Sequence, residues 1–175
     1  EIEDLQFFGR ISDQTEKLNI SQLGFGLETW QIQDEGALGF RLARPDKGGM
    51  RISLKQLIAI RPADSNTYAL GVVKWLIFPS NDGLNIGVRV LPGAPRAIAV
   101  RPVSLMTDAT SKYVQSFLLP DMPMLKETTS LVLPPGWFAP GRQVEVHTGE
   151  QLITVRLNSL IEKGSDYERV EFVRV

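Results

Sequence analysis

The sequence predicts an all-β protein of two small antiparallel β-barrels packed together, with few or short helices. Three observations predict it. From Gly26 onward, segments of about five to nine residues rich in Val, Ile, Leu, Phe and Trp alternate with clusters of Gly, Pro, Asn and Asp. No stretch holds a 3.6-residue apolar period long enough for an ordinary helix. Strands this short also leave exposed edges, and closing each sheet on itself removes them.

The elements follow in chain order. Residues 1–12 place Ile2, Leu5, Phe7 and Phe8 at spacings that suit either a short helix or an extended lead-in. Strands are expected at 27–33, 38–43, 56–61, 68–76, 84–91 and 97–101. Arg44-Pro45-Asp46-Lys47-Gly48-Gly49 and Pro79-Ser80-Asn81-Asp82-Gly83 separate them with residues that pre-set φ or tolerate positive φ. Residues 111–119 open a second β unit, followed by a loop over 120–128 containing Pro and Met. A short apolar run over 130–133 stops at Pro134-Pro135-Gly136. Strands at 142–147 and 151–157 flank Thr148-Gly149-Glu150, which suits a tight hairpin. Residues 158–163 are the best place for a helical turn, and 167–175 alternate as a last strand without showing which face is buried. Arg101-Pro102 marks the expected division: a lead-in and first barrel over 1–101, a second barrel over 102–175. The halves show no repeat at the level of residues.

Composition narrows the function. The 175 residues are 43% hydrophobic and 22% charged, enough apolar material for real cores. A formal net charge of −1 gives no general attraction to nucleic acid polymers or anionic membranes. With no Cys there is neither a disulfide framework nor a thiolate metal site, in keeping with a cytoplasmic protein. No apolar run approaches the roughly 18–20 residues that span a bilayer. The chain opens on Glu1 rather than Met, so it is expected to be part of a longer protein with an upstream domain as one partner.

No catalytic constellation is visible, and the expectation is a protein that is not an enzyme. His147 is the only His, and with Glu145 and Glu150 it makes a poor metal signature and no triad. It reads as a surface strand residue, and no metal site or cofactor is expected. Trp137 and Phe138, set between two Pro-Gly turns, form the most unusual local stretch. They either anchor a protein partner or fold back over a barrel mouth. Met122, Met124 and Leu125 supply a second apolar loop.

One longer pattern carries a family resemblance. A strand ending in Trp30-Gln31-Ile32-Gln33-Asp34 runs into Glu35-Gly36-Ala37-Leu38-Gly39-Phe40-Arg41-Leu42. Gly71-Val72-Val73-Lys74-Trp75 and Leu84-Asn85-Ile86-Gly87-Val88-Arg89-Val90 follow. This order resembles a PilZ domain, a small bacterial β-barrel that often reads cyclic di-GMP. The resemblance implies two ligand-gripping pieces. One is an Arg-x-x-x-Arg segment just before the barrel, here Arg10 with Gln14 at the second position. The other is an Asp/Asn-x-Ser-x-x-Gly turn, here Asp34 to Gly39 with Gly36 in place of Ser. Arg suits a dianionic ligand with flat purines because it joins bidentate donors to a planar face. Arg41 and Arg44 compensate for Gln14 if they share that surface. The resemblance also implies that Val73, Trp75 and Gly87 belong to the hydrophobic centre of the barrel.

Together these features predict a non-enzymatic bacterial signalling domain whose cyclic di-GMP binding is weakened or lost at Gln14 and Gly36. Its ligand residues would be Arg10, Gln14, Asp34, Gly36, Gly39 and Arg41. The alternative is an interaction scaffold that uses the Trp137-Phe138 loop.

Overall fold

The structure is a computed structural model that describes residues 2–6, 27–45, 49–79, 83–103 and 111–175. The chain divides into two compact units, Glu1–Ala94 and Pro95–Val175. In the first, β1 (Ile2–Gln6), β2 (Leu27–Gly36), β3 (Gly39–Arg44), β4 (Leu57–Pro62), β5 (Ala69–Ile77) and β6 (Leu84–Val90) pair antiparallel in the order β1-β2-β3-β6-β5-β4. Pairing of Glu3–Gln6 with Ala59–Pro62 joins β1 back to β4 and closes the ring.

The second unit holds β7 (Arg96–Pro102), β8 (Val114–Leu119), β9 (Ser130–Leu133), β10 (Gln143–His147), β11 (Leu152–Lys163) and β12 (Glu168–Arg174), in the order β10-β11-β12-β9-β8-β7. It closes through β7 and β10. Numbered within its own unit, each ring runs first, second, third, sixth, fifth, fourth strand. The topology therefore repeats where the residues do not. Among the described residues the helical content is one 3₁₀ turn, Pro123–Leu125.

Three local expectations are corrected. Ile2–Gln6 is neither helix nor lead-in but a strand that completes the first ring between β2 and β4. Arg10 and Gln14 consequently follow the first strand of the barrel instead of preceding it. The stretch expected to end the first barrel is β7, which opens the second ring, so the division falls between Ala94 and Pro95 rather than at Arg101-Pro102. Residues 158–163, expected as a helical turn, continue β11. Two register shifts, between Leu157 and Ser159 and between Leu160 and Glu162, bend the strand without ending its pairing with β12.

Alternation builds each core. Leu84, Ile86 and Val88 point inward from β6 and meet Trp30, Leu42, Ile58, Ile60 and Val73. Each such side chain contributes about 1.5–3 kcal/mol relative to exposure. The second core joins Ile98, Val100, Leu131, Leu133, Val144, Val146, Val155, Leu157 and Val170.

Candidate functional site

Two bulges shape the outer surface of the first barrel. In β2, Trp30 and Ile32 face the core, and plain alternation would send Asp34 in after them. The register skips Gln33 instead: Ile32 pairs with Leu42 and Asp34 with Arg41. One extra residue reverses the parity, so Asp34 emerges on the outer face. β5 repeats the device. Val73 pairs with Val88, Lys74 is the extra residue, and Trp75 pairs with Gly87. Val73 is fully buried whereas Trp75 is 37% exposed. The expectation that Trp75 belongs to the core is thereby overturned, because the bulge at Lys74 turns it out.

Directly opposed residues share a face, so a single outward row crosses four strands: Asp34, Arg41, Gly87, Trp75. Gly36, Gly39 and Arg89 form the next row on the same face. Glycines clear the space between these side chains. A Cβ at Gly87 would stand 2.0 Å from Trp75 Nε1, so the indole lies across the strand only because Gly87 has no side chain. The Arg41 guanidinium is 6.0 Å from the centroid of that ring, within cation–π reach.

The outcome is a groove of about 580 Å³, in the size range of small-ligand sites. Among the described residues its ionisable lining is Asp34, Arg41, Lys74 and Arg89, three cations against one carboxylate, with Trp75 and the exposed Leu38 as apolar surface. Cations grouped in a concave surface favour an anionic ligand, and an exposed indole favours a flat one.

Asp34, Gly36, Gly39 and Arg41, expected as ligand residues from the sequence, all line this groove. Arg10 and Gln14 lie outside the described residues. Arg44 does not reach the groove. Its Nη1 donates to Glu28 Oε2 at 3.0 Å and to the Met50 carbonyl at 3.0 Å, with the guanidinium 5.0 Å over the buried Trp30 ring. Sequence reading missed Lys74, Trp75 and Arg89 as site residues.

Trp137 and Phe138 pack against the core of the second barrel. Buried Glu168 holds their loop, accepting hydrogen bonds from Gly136 N at 2.9 Å and Phe138 N at 2.8 Å. Arg142 Nη1 adds a bond to the Trp137 carbonyl at 2.7 Å.

His147 is exposed on β10, where its Nδ1 accepts from Gly149 N at 3.2 Å and its ring meets Tyr113 edge-on at 6.4 Å. Beside it, Glu145 is paired with Arg101 and accepts from the Tyr113 hydroxyl at 3.2 Å. The Arg101 hydrogen bond holds the Glu145 carboxyl below its ordinary range. Among the described residues no group of three or more His, Cys, Asp or Glu side chains is placed to hold a metal. No helix among them is long and apolar enough to cross a membrane.

Residues 98–175 match the family model of the FimW C-terminal beta-barrel domain. The match covers less than half of the chain and falls on the second barrel, from β7 to the end of β12. The family likeness therefore concerns that barrel's fold. No curated protein matches the chain by sequence. Two solved structures align over nearly its whole length. One is MrkH, described as a c-di-GMP-dependent transcription regulatory factor, at 8% identity, covering 99% of this chain and 77% of that one with a TM-score of 0.30. The other is the K. pneumonia MrkH–c-di-GMP complex, at 8% identity, 99% and 78% coverage and a TM-score of 0.28. Likeness of that size carries no residue correspondence.

Proposed function

We propose that this chain is a non-enzymatic bacterial regulatory domain of PilZ type, and that its first barrel takes cyclic di-GMP in the groove around Asp34, Gly39 and Arg41. One observation carries the reading. Three residues picked out by a sequence motif, Asp34, Gly36 and Gly39, meet Arg41 on one open face together with two further cations and an exposed indole. Arg41 suits a phosphate, and Asp34 suits the donor edge of a guanine.

The grip is weaker than a complete motif would give. Gln14 lacks the guanidinium of a second Arg, a charge-assisted contact worth about 1.5–3 kcal/mol, or roughly ten- to a hundredfold in affinity. Arg10 and Gln14 fall between β1 and β2 in the chain, outside the described residues. Calorimetric titration of the folded chain with cyclic di-GMP tests the reading. Heat is expected for the unsubstituted chain and a roughly ten- to hundredfold weaker isotherm for Arg41→Ala. No heat at high-micromolar ligand overturns it.

A further inference from the structure

The same groove contains a second set of ligand-facing side chains that the PilZ-type motif does not include. We infer that Lys74, Trp75 and Arg89 on β5 and β6 are the principal affinity-determining residues of this site, with Trp75 as the platform for a purine base and Lys74 and Arg89 as phosphate contacts. This inference rests on the cyclic di-GMP reading of the groove.

The geometry points to these three for separate reasons. A fully exposed face of a small barrel has little use for an indole, yet β5 is bulged at Lys74 and β6 carries Gly87 opposite Trp75, two features that together turn the ring outward and give it a flat seat. The ring keeps 37% of its surface open, and the Arg41 guanidinium already approaches it. Base–aromatic stacking tolerates any purine, because every base has a π-face.

Charge placement supplies the second reason. Arg89 stands two residues from Gly87 on the same outward face and pairs with Gly39, the last residue of the turn motif. Arg41, opposite Gly87, is its diagonal neighbour, about 7–8 Å away at the backbone. Two long guanidinium side chains that far apart converge on one ligand from adjacent strands. Lys74, exposed as the extra residue of the bulge, adds a third donor from β5. The motif has Gln14 where a second Arg would stand, and the β5–β6 cations supply positive charge that the motif does not.

The test is a cyclic di-GMP titration by calorimetry and by intrinsic tryptophan fluorescence, with circular dichroism to verify folding. Arg89→Ala and Lys74→Ala are expected to weaken binding about ten- to a hundredfold each. Trp75→Leu should weaken it about five- to a hundredfold and abolish the ligand-dependent quench, while Trp75→Phe, which keeps a ring to stack on, restores most of the affinity. Trp30 is fully buried and Trp137 packs on the core of the second barrel, so the part of the quench that Trp75→Leu removes reports on the exposed indole. Binding by the unsubstituted chain with unchanged affinity in Trp75→Leu and Arg89→Ala overturns this inference and leaves the cyclic di-GMP reading standing. No binding by the folded, unsubstituted chain overturns both.

Discussion

Gly39 closes the turn motif, and its substitution separates two explanations for why a glycine stands there. A ligand-based explanation has the backbone approach a nucleotide. The structure gives another: a Cβ on Gly39 would lie 2.0 Å from the Val88 carbonyl oxygen, against at least 3.4 Å for ordinary contact. That oxygen belongs to backbone in the central strand of the groove and has no rotamer to escape into. In Gly39→Ala, β3 and β6 must part locally, straining ladder bonds around the Gly39–Arg89 pair. Overpacking costs about 1–3 kcal/mol. Each lost hydrogen bond adds about 0.5–1.5 kcal/mol, so the expected destabilisation is about 2–4 kcal/mol. For a unit of this size, each kcal/mol lowers Tm by roughly 4–8 °C. Two controls bracket the result. At Gly36 the nearest atom to a built Cβ is 4.0 Å away, so Gly36→Ala should stay within about 0.5 kcal/mol of wild type. At Gly87 the clash is with the Trp75 indole, which can swing, so Gly87→Ala should change tryptophan emission more than Tm. Thermal denaturation followed by circular dichroism decides it without ligand. A Gly39→Ala variant melting within 2–3 °C of wild type (about 0.5 kcal/mol) would refute the strand-approach explanation.

Three further outcomes are expected. Gly36→Ser restores the missing hydroxyl at a position with room for it and should tighten cyclic di-GMP binding about two- to tenfold by calorimetry; no gain would show that the hydroxyl has no partner in this groove. Glu168→Ala leaves the Gly136 and Phe138 amides without their acceptor and should cost about 2–4 kcal/mol in urea unfolding, a cost under 0.5 kcal/mol counting against the loop's attachment. Glu145 and Glu171 are both held below the ordinary carboxyl range, by hydrogen bonds first from Arg101 and Ser159 respectively. Because the folded value is the lower one, their stabilising contribution is fully present above the unfolded pKa, roughly 4.3, and is lost as pH falls through the folded value. The Tm gap between wild type and a Glu145→Gln, Glu171→Gln variant should shrink in acid; a gap that widens there would contradict the pairing.

Most strands were legible because short apolar runs between Gly, Pro and Asn clusters leave little choice. The residues of 84–90 and 69–76 read as strands and are strands, and the apolar run over 130–133 is a strand as well. What escaped was parity. Trp30, Ile32 and Asp34 sit at even spacing, and a carboxylate at the third inward position was the one available sign that the strand must bulge. Val73 and Trp75 gave no such sign, because an indole suits either face, and only the register against β6 shows that Lys74 is the extra residue. β1 was missed for a different reason. Glu, Asp and Gln interrupt its apolar residues, and what makes it a strand is the pair of partners on either side, β2 and β4, which are distant in sequence. Long-range pairing of this kind leaves almost no local trace.

The repeated topology sharpens the assignment of the site to the first barrel. In the second ring, β8, β9, β12 and β11 occupy the positions of β2, β3, β6 and β5. β11 is bulged against β12 much as β5 is against β6. The two faces differ in their side chains. β2, β3, β5 and β6 contain Gly36, Gly39, Gly71 and Gly87, whereas their counterparts contain no glycine. Two counterpart charges are held by neighbours within the second barrel. Arg169, 3% exposed, donates to Ser130 Oγ at 3.0 Å and Glu127 Oε2 at 2.8 Å. Glu171 accepts from Thr128 and Ser159. Topology and bulges supply the shape, but removal of side chains from the middle of the face is what turns that shape into a groove.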